Sequence, residues 1–239
     1  MPFVELASVL RRAEAWLLPG ECLLCRESAG AEDSLVCPPC QSRWRRLPEP
    51  QCVRCGQPIT PVSDGCRLCA AWPEDFVCAR SAVWLDPSAR AAVHALKYGG
   101  WWRVADPMAR LMARLDPARR PGLLVPVPLA ARRARARGYN QAEQIAGCVA
   151  TRTRLPLRSD LLVRRRETPT QTALPPEARR ANVAGAFAAG PVPAGARLVL
   201  VDDVFTTGAT LAEAAATLLE AGAGTVESVT FARATPPVF

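Results

Sequence analysis

Residues 198–210 read Leu-Val-Leu-Val-Asp-Asp-Val-Phe-Thr-Thr-Gly-Ala-Thr. The apolar run Leu198 to Val201 suits a buried strand and stops at two adjacent acids, Asp202 and Asp203. A hydroxyl-rich turn follows, and a helical pattern begins at Leu211. The free N–H groups at a helix N-terminus make an anion site. Thr206, Thr207 and Thr210 add hydroxyl donors, while Gly208, beside Ala209, lets the backbone come close to a phosphate. The two carboxylates stand where they can accept hydrogen bonds from vicinal sugar hydroxyls. One segment can therefore hold a ribose 5-phosphate.

The same alternation continues on both sides. Val77–Trp84, Leu123–Val127, Leu198–Val201 and Val226–Phe231 read as strands. Pro87–Leu96, Asp106–Leu115, Asn140–Thr151 and Leu211–Ala221 read as helices, the last capped by Gly222. Strands alternating with helices predict an α/β fold with a mostly parallel, doubly wound sheet, over residues 76–239. Ligands of such sheets bind beyond the carboxyl ends of the strands, where Asp202 falls. Pro73, Glu74 and Asp75 mark a linker to a separate module over residues 1–75.

That module is rich in cysteine. Eight of the ten cysteines form Cys-x-x-Cys pairs: Cys22/Cys25, Cys37/Cys40, Cys52/Cys55 and Cys66/Cys69. Such a turn offers two thiolates to one tetrahedral metal, and two turns close a four-sulfur site. A Cys- and Pro-rich segment with little periodicity buries little apolar area and needs metal staples to fold. Two structural Zn²⁺ ions are expected. Sequential pairing is the simplest, but 11 residues separate Cys40 from Cys52 as they do Cys25 from Cys37, so an interleaved arrangement stays open. Disulfides, a redox dithiol and an Fe–S cluster are the competing readings. Gly56 fits a knuckle turn of positive φ, and Cys78 and Cys148 read as small core residues.

The net charge of +8 is concentrated: twelve arginines against four acids lie between Ala130 and Arg180. Arg132, Arg133, Arg135, Arg137, Arg164, Arg165 and Arg166 are candidates for nucleic-acid contacts, or for a phosphorylated substrate. No apolar run is long enough to span a bilayer, and Phe3–Leu18 reads as an amphipathic helix rather than a signal peptide. A cytoplasmic protein is expected. Lys97, the one lysine beside 29 arginines, heads Lys97-Tyr98-Gly99-Gly100, where a compact ammonium could meet a pyrophosphate.

The order Asp-Asp-x-x-Thr-Thr-Gly-x-Thr resembles the phosphoribosyl diphosphate (PRPP) signature of type I phosphoribosyltransferases. The whole series resembles the ComF family: four Cys pairs, Leu96-Lys97-Tyr98-Gly99, Pro126-Val127-Pro128 and Arg137-Gly138-Tyr139-Asn140-Gln141. Thr168 with Gln171, Arg180 with Asn182, and the Asp-Asp loop complete it. The resemblance implies a zinc ribbon followed by a phosphoribosyltransferase-like domain, and a link to competence and DNA uptake. It implies that Asp202 and Asp203 hold the ribose hydroxyls and are the catalytic candidates. Thr206 to Thr210 would hold the 5-phosphate, and Lys97 to Gly99 the pyrophosphate, with Mg²⁺. Many purine-salvage relatives carry an acid at the position of Thr206, and threonine cannot replace it as a base.

Two functions lead, with a purely structural adaptor as a third. One is phosphoribosyl transfer to an unidentified acceptor. The other is a PRPP-binding protein that also holds single-stranded DNA and meets other competence or DNA-processing proteins. Trp44, Trp72, Trp101 and Trp102 are candidate base-stacking residues, although core packing suits most of them.

Overall fold

A computed structural model describes residues 20–29, 35–59, 66–167 and 183–234. The helix expected over Phe3–Leu18, and Thr168, Gln171, Arg180 and Asn182, lie outside these residues. In chain order the elements are α1 (Pro38–Ser42), β1 (Phe76–Trp84), α2 (Pro87–Tyr98), a 3-10 turn (Trp102–Val104), α3 (Ala105–Met112), α4 (Asp116–Arg119) and β2 (Leu123–Pro126). Then follow α5 (Ala131–Arg137), α6 (Gln141–Thr153), β3 (Leu162–Arg164), β4 (Phe187–Ala189), β5 (Arg197–Phe205), α7 (Ala209–Glu220) and β6 (Thr225–Arg233).

β1, β6, β5 and β2 form one sheet in that order, and every pairing is parallel. The apolar run of β5 alternates between its two faces. Val199 and Val201 pack with Leu96 of α2, Met108 of α3 and Ile145 of α6. Leu198 and Leu200 pack on the other face with Leu211 and Leu218 of α7. This fits a strand whose neighbours cover it on both sides.

β5 does not stop at Val201. Its ladder with β6 runs on through Asp202↔Thr230 and Val204↔Ala232 to Phe205↔Arg233. The acids therefore sit within the carboxyl end of the strand, because main-chain pairing is indifferent to their side chains. Several short elements were not expected, α4 and the 3-10 turn among them. α5 buries none of its residues, so it carries no apolar stripe. β3 and β4 are three-residue strands paired antiparallel. α1 is a single turn with Pro38 in its first turn.

The cysteines pair sequentially: Cys22, Cys25, Cys37 and Cys40 in one cluster, Cys52, Cys55, Cys66 and Cys69 in the other. Each cluster packs on a different face of the sheet. The first joins Trp44, Val83 and Phe231, and the second joins Trp72, Phe76 and Phe205. Gly56 adopts the expected positive φ of 68°. Cys78 is buried, whereas Cys148 is half-buried.

Candidate functional site

The carboxyl end of β5 opens into a cavity of about 400 Å³, bounded by α2, α5, α6, β3 and the turn before α7. Alternation along β5 sends Asp203 to the face of Val199 and Val201, where α2 and α6 bracket it. It forms an ion pair with Lys97 and accepts a hydrogen bond from Gln141 Nε2 at 3.2 Å. Desolvation opposes ionisation of Asp203, but the Lys97 ammonium outweighs it and holds the carboxyl below its usual range. Asp202, half-buried, is raised well above the usual range by desolvation in the cleft and then by the Asp203 charge. Two adjacent carboxyls thus have opposite tendencies, one fixed as an anion and one readily protonated.

The 137–141 segment builds this bracket residue by residue. Gly138 ends α5 at φ 82°, a left-handed cap that a Cβ disfavours. The Arg137 guanidinium lies over the Tyr98 ring at 5.3 Å and also bonds Gln141. Tyr139 Oη donates to the Leu96 carbonyl, tying α2 to α6. Asn140 caps α6 by accepting from the Ala142 amide at 3.1 Å, and its Nδ2 donates to the Val127 carbonyl at 3.1 Å. Gln141, 6% exposed, completes the set on Asp203. The sequence marked this segment as a helix entry, but the role of Gln141 toward the acid pair was not legible from it.

Gly208 is the N-cap of α7 with φ 78°. Thr206, Gly208 and Thr210 line the cavity, while Thr207 Oγ1 accepts from the Ala209 amide at 3.4 Å at the head of the helix. The first turn of a helix leaves N–H groups without intrahelical partners, and here it faces the cavity. Lys97 and Tyr98 also line it, from the last turn of α2. Gly99 caps that helix and lines a neighbouring groove with Trp101.

Of the candidate arginines, Arg133, Arg137 and Arg164 line the cavity, joined by Arg90, which the sequence did not single out. With Lys97, five cations face two carboxylates. Burial, and then the Arg133 cation, press the pKa of Arg164 down. Arg132, Arg135, Arg165 and Arg166 are not in the cavity wall; the Arg132 amide bonds Glu167 Oε1 at 2.7 Å. Trp44 and Trp72 are buried, whereas Trp101 and Trp102 are 46% and 53% exposed and Tyr98 is 68% exposed.

In each cysteine cluster the four sulfurs lie within 4.8 Å of one another. Cys25–Cys37, Cys52–Cys69 and Cys55–Cys66 are 3.7, 3.8 and 3.4 Å apart. A tetrahedron with Zn–S of about 2.3 Å has edges of about 3.8 Å, so both quartets fit zinc. Burial opposes ionisation of Cys22, but the main-chain N–H groups of Cys37, Cys25 and Leu24 outweigh it and bring the thiol down to about 6. Cys52 is brought to about 7 in the same way, against burial, by N–H groups of Cys55 and Arg54. Such N–H donors prepare thiolates for a cation.

An acid pair and a threonine-rich turn at a helix N-terminus on a parallel sheet, joined to two four-cysteine knuckles, define a phosphoribosyltransferase-domain protein with a zinc-ribbon module. Residues 139–236 match the family described as phosphoribosyl transferase domain, and residues 13–82 the one described as double zinc ribbon domain. The chain is 33% identical over 217 residues to the DNA utilization protein YhgH of Escherichia coli O157:H7, covering 88% of this chain and 95% of that one. It is 26% identical over 230 residues to competence protein F of Haemophilus influenzae, covering 89% and 96%. It is 27% identical over 215 residues to competence protein ComFC of Bacillus subtilis, covering 84% and 85%. The chain belongs to this ComF/YhgH family.

Proposed function

We propose that the cleft binds PRPP with Mg²⁺, and that the protein also holds single-stranded DNA. The observation that carries the first part is the joint lining of one cavity by Asp202, Asp203, the Thr206–Thr210 turn and Lys97. The ribose hydroxyls meet the carboxylates and the 5-phosphate meets the turn at the head of α7. The pyrophosphate meets Lys97 and the arginines, with Mg²⁺ supplying further positive charge. Two structural Zn²⁺ ions complete the reading.

The DNA part rests on charge and aromatics together. Arg90 and His94 line both this cavity and the groove that holds Arg26 and Trp101. Exposed Tyr98 lines the cavity and exposed Trp101 the groove, and both offer faces for bases. The relatives' names, DNA utilization protein and competence protein, point the same way. A second reading, phosphoribosyl transfer to a base-like acceptor, draws on the apolar wall of Val93, Val127 and Leu129 in the same cavity. Binding of fluorescent single-stranded DNA, measured at several salt concentrations, tests the DNA part. Log affinity falls linearly with log salt, by about 0.7 per phosphate neutralised. Neutralising Arg164, Arg165 and Arg166 flattens that slope by about two. Absence of binding at low salt removes the DNA part and leaves the transfer reading.

A further inference from the structure

The second cysteine cluster touches the phosphate turn by two routes. The first runs through Trp72, whose amide donates to the Cys69 carbonyl at 3.2 Å. Its ring stacks on Phe76 at 4.5 Å and lies 6.0 Å from Phe205. The turn presses directly against it: a Cβ on Gly208 would lie 2.6 Å from Trp72 Cζ2. The second route runs through Arg233, at the carboxyl end of β6 and 1% exposed. Its guanidinium donates to the Cys55 carbonyl at 2.7 Å and to Gln57 Oε1 at 3.0 Å, and sits 3.9 Å from Cys55 Sγ. It also lies 4.1 Å over the Phe205 ring, the residue that leads into the turn.

A buried cation needs a nearby anion, and Arg233 has no carboxylate partner among the described residues. Four thiolates around one divalent ion would carry net negative charge, and Cys55, 3.9 Å from the guanidinium, would present that charge to Arg233. The first cluster is placed differently. It packs through Trp44 on Phe231, at 4.9 Å, on the opposite face of the sheet.

We propose that the second four-cysteine site is a positioning element for the phosphate turn, acting through Trp72 and Arg233 on Phe205 and Gly208, so that its metal governs how firmly the turn holds a sugar phosphate. This rests on the ligand reading of the turn given above.

The experiment uses the zinc-loaded full chain and compares Trp72→Leu and Arg233→Met with Trp44→Leu, a matching core change at the first cluster. Three readouts are taken: zinc content, hydrogen exchange of residues 204–211, and calorimetric titration with ribose 5-phosphate. Trp72→Leu and Arg233→Met are expected to keep the wild-type zinc content, speed exchange in 204–211 and weaken ribose 5-phosphate about tenfold. Trp44→Leu is expected to leave exchange and affinity at wild-type values. Wild-type exchange in both turn variants, or equal effects from Trp44→Leu, overturns the proposal. If wild-type protein binds no ribose 5-phosphate, the ligand reading fails, and exchange still decides whether the cluster positions the turn. Should a variant fail to fold, graded withdrawal of zinc from wild-type protein decides instead. Residues 204–211 are expected to gain exchange before residues 123–125 of β2, and simultaneous gain refutes the coupling.

Discussion

Replacing Gly208 with alanine tests how tightly the turn is built. The residue sits at φ 78°, where a Cβ costs about 1–2 kcal/mol. The added methyl would lie 2.6 Å from Trp72 Cζ2 and 2.8 Å from Phe205 Cζ. Ordinary carbon contacts are about 3.5–4.0 Å, so the overlap approaches 1 Å on two sides. Neither ring can swing away: Trp72 is stacked on Phe76, and Phe205 lies under Arg233. Overpacking of that kind costs about 1–3 kcal/mol. The two contributions together give about 2–5 kcal/mol, a thermal midpoint drop of roughly 4–20 °C for a chain of this size. Because the strain falls on the turn itself, sugar-phosphate affinity drops with it. Calorimetric melting and ligand titration read both effects. Adding Trp72→Leu, which shortens the obstructing side chain, should make the double variant's loss smaller than the sum of the single losses. A Gly208→Ala protein with wild-type melting and affinity would refute the packing argument.

Other expectations follow from the charged groups. Lys97→Ala weakens PRPP more than ribose 5-phosphate in parallel titrations, since only PRPP carries the pyrophosphate; equal losses would confine Lys97 to its pairing with Asp203. Asp202 has a raised pKa in the free site, so its carboxyl holds a proton to higher pH than usual. Hydroxyl donors and Mg²⁺ favour the carboxylate, so PRPP binding releases protons and its affinity rises as pH climbs through that raised pKa. Calorimetry in two buffers of different ionisation enthalpy shows the release, and identical heats would contradict it. Cys52→Ser with Cys55→Ser lowers zinc from two ions per chain toward one by elemental analysis; zinc-free wild-type protein, or iron in its place, would overturn the metal assignment.

The sheet was legible because its strands are apolar runs set between helical patterns, and the cysteine pairs announced two four-sulfur sites, although their spacing left both sequential and interleaved pairing open. The end of β5 was not, since side-chain polarity at Asp202 says nothing of the main-chain ladder that carries the strand to Phe205. α5 escaped notice because a helix that buries none of its residues has no apolar period to detect. At the site, the acids, threonines and Lys97 were marked by type and order. The pairing of Lys97 with Asp203, and the Gln141 bond to the same acid, depend on how α2 and α6 converge. Arg233 gave no signal at all, because a buried cation in a strand reads in sequence as a solvent-facing one.

The central claim is that the acid pair and the turn beside it form a PRPP site, and calorimetric titration of PRPP with Mg²⁺ tests it most directly. Wild-type protein and the Asp202→Asn, Asp203→Asn double variant are compared, with zinc content and melting confirming that both are folded. Wild-type protein is expected to bind, and the variant to lose most of the affinity, at roughly 1.5–3 kcal/mol for each charge-assisted hydrogen bond removed. Equal affinity in the two folded proteins would contradict it.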